Sequence, residues 1–161
     1  MKTLLTLPLL LLSLISFPSW SETIDDLILR EGLWYKKFSS APFTGRITGQ
    51  YQGKFKKGKR HGPWVGYYEN GQLQEKGEYK NGKSEGPWVF YNEDGQLLGE
   101  GELRNGKEEG PWVSYHHNGQ LFSKGEYKNG KQEGRWVAYD YEGNLDTELS
   151  GVYKNGVKIS D

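Results

Sequence analysis

Apolar and polar positions along this chain alternate in short runs broken by turn residues, and the alternation repeats every 24 residues. Trp64, Trp88, Trp112 and Trp136 mark the period. One unit opens with Gly62-Pro63-Trp64-Val65-Gly66-Tyr67, and the next three open at Gly86, Gly110 and Gly134. Each unit then reaches a glycine turn (Gly71, Gly95, Gly119, Gly143) with a leucine two residues later. A second run follows, as in Gly77-Glu78-Tyr79, and the unit closes with Asn-Gly, as at Asn81-Gly82. The fourth copy reaches Gly151-Val152-Tyr153 two residues late, which marks an insertion. Runs rich in Trp, Val, Tyr and Phe favour extended backbone. Asn-Gly supplies the positive φ that tight hairpins require. A fixed period of this size marks a repeat architecture. The pattern therefore predicts an all-β fold, an elongated antiparallel meander of tandem 24-residue β-hairpin repeats. At about 4.8 Å per strand, four units with flanking strands span on the order of 45 Å. The one helical suggestion is a short turn between Thr23 and Arg30.

Strand residues alternate sides, so Leu73, Gly77 and Tyr79 are expected on one face and Gln74, Lys76, Glu78 and Lys80 on the other. The hairpin loop decides which face the tryptophans join. A two-residue turn at Asn70-Gly71 puts Trp64 with Leu73 and Tyr79. A three-residue loop, Glu69-Asn70-Gly71, puts Val65 and Tyr67 there instead. The fourth copy has Glu142-Gly143, and a type I turn with glycine in the left-handed position suits glutamate better than a two-residue turn does. That favours the three-residue loop, with the tryptophans on the charged face. Two roles for Trp64, Trp88, Trp112 and Trp136 follow. They pack the sheet, covering glycines of a neighbouring strand, or they form an exposed ladder that grips a partner or stacks sugar rings. As the latter they are the candidate partner-binding residues.

The ends of the chain change the picture. Residues 1–21 read as a secretory signal peptide, with Lys2 before an apolar run from Leu4 to Phe17 and small residues Ser19 and Ser21 before a cleavage site near Ser21–Glu22. The run is short for a membrane span, which needs about 20 apolar residues. The expected location is periplasmic or secreted, with no transmembrane span after cleavage. Residues 22–61 then form an N-terminal cap and degenerate repeat, 62–158 four tandem repeats with a C-terminal half-repeat, and 159–161 a tail. The chain contains no cysteine, so packing and strand ladders must hold the fold without disulfides. The formal net charge is zero, which gives no overall field for nucleic acid. The basic run from Lys54 to His61 reads as a solvated turn of the first copy.

The stretch from Gly77 through Gly86-Pro87-Trp88 to Gly95-Gln96-Leu97 resembles the MORN repeat. It is most similar to the bacterial variant with Trp after Gly-Pro, found in proteins named as YwqK-family antitoxins. The resemblance covers about Leu33 to Lys158, and Leu33-Trp34-Tyr35 with Pro42-Phe43-Thr44-Gly45 resembles that family's opening cap. Glu109 and Glu133 stand where the first copy, nearest the standard repeat, has His61. The resemblance implies a scaffold or attachment module, or an immunity-like protein that neutralises a toxin.

Catalytic chemistry is not expected. His116 and His117 are adjacent and cannot chelate one metal from a strand, and without cysteine a zinc site would need ligands from separate copies. Glu100, Glu102, Glu108 and Glu109 suggest an acid–base pair for sugar hydrolysis, but Glu102 recurs as Glu78 and Glu126, and Glu109 as Glu85 and Glu133. Residues present in every unit are explained by the unit. The sequence reading is an exported, non-catalytic protein with no cofactor or metal, engaging a protein partner through a sheet face or edge. The alternatives are an envelope carbohydrate binder using the tryptophan ladder and the immunity-like protein.

Overall fold

A computed structural model describes residues 21–161, so the expected signal peptide lies outside the described residues except for Ser21. Among the described residues no helix is long and apolar enough to cross a membrane. The helical turn expected after Thr23 is a single 3-10 turn, Ile24–Asp26, and the chain becomes a strand directly after it. Strands β1 (Leu27–Arg30) and β2 (Leu33–Lys36) form a small hairpin. Eleven further strands make one antiparallel sheet in simple sequence order. They are β3 (Gly45–Ile47), β4 (Tyr51–Lys56), β5 (Lys59–Tyr67), β6 (Leu73–Lys80), β7 (Lys83–Tyr91), β8 (Leu97–Arg104), β9 (Lys107–Tyr115), β10 (Leu121–Lys128), β11 (Lys131–Ala138), β12 (Gly151–Lys154) and β13 (Val157–Ser160). The meander of hairpins expected from the 24-residue period is the fold.

Two kinds of turn alternate along the sheet. Asn81-Gly82 forms a two-residue turn between β6 and β7, with φ +54° and +86° and Lys80 paired to Lys83. Positive φ at both positions gives the turn a twist that suits antiparallel strands. At the other end of the hairpins the loop has three residues. Tyr68 N–H donates to the Gln72 carbonyl at 2.8 Å, Gly71 N–H donates to the Tyr68 carbonyl at 3.0 Å, and Gly71 takes φ +83°. The three-residue loop inferred from Glu142 is therefore the one present.

Its consequence for the faces is nevertheless the reverse of the expectation. Tyr67 pairs with Leu73, but Gly66 pairs with Glu75, so Gln74 is an extra residue with no partner across. The same shift recurs between Phe90 and Tyr91 against β8. One extra residue moves everything beyond it to the opposite face. Leu73 joins Val65 and Tyr67, while Gly77 and Tyr79 join Trp64. The expectations that Leu73 shares a face with Tyr79, and that the tryptophans stand among the charges, are corrected by this bulge.

The tryptophan face is the core. Trp64, Trp88 and Trp136 are 1%, 2% and 3% exposed, and Trp112 is half-buried. Each ring lies over a glycine of the preceding strand. A methyl placed on Gly53, Gly77, Gly101 or Gly125 would fall 2.3, 2.2, 2.1 or 2.3 Å from the ring of Trp64, Trp88, Trp112 or Trp136. The Gly-Pro-Trp motif makes this possible. Lys76 pairs with Val89 and Glu78 with Glu85, so Gly86-Pro87-Trp88 all stand opposite the single residue Gly77. Gly86 takes φ +72° in this bulge, and the proline is tolerated there because the ladder is already broken.

The tryptophans are too far apart to touch, and other rings fill the gaps. Tyr79 meets Trp64 and Trp88 edge-on at 5.5 and 5.1 Å, and Tyr127 does the same for Trp112 and Trp136 at 5.9 and 4.9 Å. These are favourable aromatic geometries. Between Trp88 and Trp112 the position falls to Leu103. Trp112 thus has Leu103 and Ser114 where Trp88 has Tyr79 and Phe90, and the smaller neighbours leave its ring less covered. At the N-terminal end Leu27, Phe43, Ile47 and Phe55 extend the same core, with Trp34 packed against it.

Candidate functional site

Burial removes the exposed ladder. Of the four tryptophans expected as partner contacts, Trp64, Trp88 and Trp136 are buried inside the repeat with their polar atoms turned inward, and Trp112 is half-buried in the same row. Trp64 Nε1 donates to Glu75 Oε1 at 3.0 Å and Trp136 Nε1 to the Glu126 carbonyl at 3.0 Å. Trp88 Nε1 is buried with no partner, because Gly99 stands where the first copy has Glu75. Burial raises the Tyr127 hydroxyl above its ordinary pKa, with the Glu108 charge adding to the effect.

The surface available to a partner is the reverse face. There Pro63, Val65, Tyr67 and Leu73 form an apolar stripe, with Val65 opposite Lys76 and Pro63 opposite Glu78. Valine, tyrosine and leucine are half-buried, whereas the proline and the flanking charges are exposed. The pattern recurs at Pro87, Val89, Tyr91 and Leu97, and again one repeat further on. A groove of about 510 Å³ runs over this face between Pro63, Leu73, Pro87, Val89 and Tyr91, and a smaller one of about 230 Å³ passes Pro63 and Val65 toward Ile47. Such a surface can hold an extended polypeptide by apolar contact and fix its direction by charge. No group of His, Asp and Glu fit to hold a metal ion occurs among the described residues.

Several of the residues singled out as candidate chemistry have structural partners. Glu85, Glu109 and Glu133 each accept the backbone N–H of the asparagine in the following Asn-Gly turn, Asn105, Asn129 and Asn155, at 3.0, 2.9 and 2.9 Å. This explains glutamate in the place of His61: the carboxylate ties one hairpin to the next. The glycine of each turn makes the neighbouring link, as Gly130 N–H donates to the Glu108 carbonyl at 2.9 Å. His116 is buried, with Nε2 2.8 Å from the Tyr139 carbonyl, and it does for the third loop what the Tyr68 hydroxyl does for the first. Arg60 lies 4.4 Å from the Trp64 ring centre and donates to the Tyr79 hydroxyl at 3.0 Å, so it seals the first repeat against the cap. None of these inter-repeat links was identified from sequence, although the 24-residue recurrence of the glutamates was its visible sign.

Residues 60–81, 84–105 and 108–129 match the model of the MORN repeat variant. Those three segments are tandem MORN repeats. Each matched segment starts just after one two-residue turn and ends in or beside the next, so the MORN unit corresponds to one hairpin with its tryptophan bulge and three-residue loop. The fourth copy lies outside the matched segments. Its two-residue insertion falls between Ala138 and Gly151, and β11 pairs with β12 only from Gly134 to Trp136. No curated protein matches the chain.

Proposed function

We propose that this chain is an exported scaffold in the cell envelope that holds a protein partner along the reverse face of its MORN sheet. The observation that carries the reading is the half-exposed Pro-Val-Tyr-Leu stripe, which recurs repeat after repeat on the face opposite the tryptophan spine. A MORN array suits binding or scaffolding, since its surface repeats rather than converging on one asymmetric site. Export rests on the leader read in residues 1–21, and N-terminal sequencing of the secreted chain is expected to begin at Glu22.

The face is tested by affinity capture from envelope extract with the wild-type chain and with Val89→Lys/Val113→Lys. Both valines are partly exposed, so the double variant should fold, which circular dichroism checks. A protein retained by the wild type and lost by the variant supports the reading. Recovery of uncharged glycan without protein, or equal capture by both chains, would falsify it.

A further inference from the structure

We propose that the edge of the sheet formed by the two-residue turns binds a linear anionic polysaccharide. The turns place cations directly opposite one another. Lys56 pairs with Lys59, Lys80 with Lys83, Arg104 with Lys107 and Lys128 with Lys131. Like charges in directly opposed positions destabilise a strand pair, and here the arrangement is repeated in four successive hairpins. All eight side chains are exposed. Of these eight only Arg104 reaches a carboxylate among the described residues, Glu109 at 3.5 Å. Glu85 and Glu133 accept backbone N–H groups rather than pairing directly with the lysines. The next opposed charges inward are carboxylates, Glu78 with Glu85, Glu102 with Glu109 and Glu126 with Glu133, so the cations form the outermost row. A local rule broken repeatedly at that rim points to a ligand outside the fold.

The opposite edge has the other sign. The three-residue loops at 69–71, 93–95, 117–119 and 141–143 contain no lysine or arginine and carry Glu69, Glu93, Asp94 and Glu142. The neutral net charge thus conceals two edges of unlike charge. Each cation pair is separated from the next by two strands, about 9.6 Å. A polyuronate carries one acidic group on every sugar ring, so every second carboxylate falls at a comparable interval and the chain can follow the edge in register. The four turns hold no apolar side chain to enter a bilayer and no aromatic on which bases would stack. Those absences favour a polyanionic glycan over an anionic membrane or a nucleic acid. This edge is distinct from the apolar reverse face, and either surface can fail its test without the other.

The probe is a soluble polyuronate titrated calorimetrically into the chain at several salt concentrations, with dextran, anionic lipid vesicles and single-stranded DNA in parallel. The comparison is K80Q/K83Q/K128Q/K131Q, which removes two of the four pairs. The wild type should bind polyuronate with an affinity that falls steeply with salt. The variant should bind at least about tenfold more weakly, with roughly half the salt slope. It should also melt no lower than the wild type, since like-charge contacts are relieved, and this separates ligand binding from a structural role. The proposal is overturned by absence of polyuronate binding, by equal binding of the variant, or by preference for dextran, vesicles or DNA.

Discussion

Replacing Gly77 with alanine places one methyl where the Trp88 ring already lies. The added carbon would sit 2.2 Å from Cδ2 and 2.3 Å from Cε2 of the indole. Gly77 is not among the residues with positive φ, so the backbone accepts alanine and the effect is steric. The ring has no easy retreat, with Tyr79 edge-on at 5.1 Å and Phe90 stacked at 5.9 Å. Overpacking of this kind costs about 1–3 kcal/mol. Full loss of the buried ring would cost about 3–5 kcal/mol, while reduced freedom of the unfolded chain returns about 0.4–1 kcal/mol. The expected net loss is about 1–2 kcal/mol if the ring shifts in place, rising toward about 3 kcal/mol if it is expelled, a fall in Tm of roughly 3–10 °C for a chain of this size. Thermal unfolding by circular dichroism reads it, and acrylamide quenching should increase as Trp88 moves toward water. Gly71→Ala is the control. It meets nothing within 4 Å but holds φ +83°, so it should lose about 1–2 kcal/mol through backbone strain without altering quenching. A Tm for Gly77→Ala within the error of the wild type, with unchanged quenching, would refute the ring-over-glycine account.

Two other substitutions probe the links between repeats. Glu109→Ala removes the acceptor for Asn129 N–H at 2.9 Å and should destabilise the chain by about 1 kcal/mol, with Glu109→Gln recovering most of the loss in the same melting experiment. Trp64→Phe loses the bond to Glu75, whereas Trp88→Phe removes a buried donor that has no partner. Urea denaturation should therefore find Trp88→Phe less damaging by about 1–2 kcal/mol.

The amino-acid sequence alone determined the repeat, its period and the Asn-Gly turns, and it favoured the three-residue loop over a two-residue one. These are local properties: Asn-Gly and Glu-Asn-Gly restrict φ within a few residues, and Trp, Val and Tyr prefer extended backbone wherever they stand. The covering of neighbouring glycines was also open to sequence as one of two roles for the tryptophans. The face on which they stand was not, because a single bulged residue at Gln74 reverses it, and alternation cannot count a residue that has no partner across. The bond from Glu109 to Asn129 and the ring of Tyr79 between Trp64 and Trp88 depend on strand register. So does the opposition of Lys80 to Lys83, and with it the row of cations that a net charge of zero hides. Composition sums charges, whereas pairing across strands places them. Tertiary structure therefore decided which face is core, which is free for a partner, and which edge gathers positive charge.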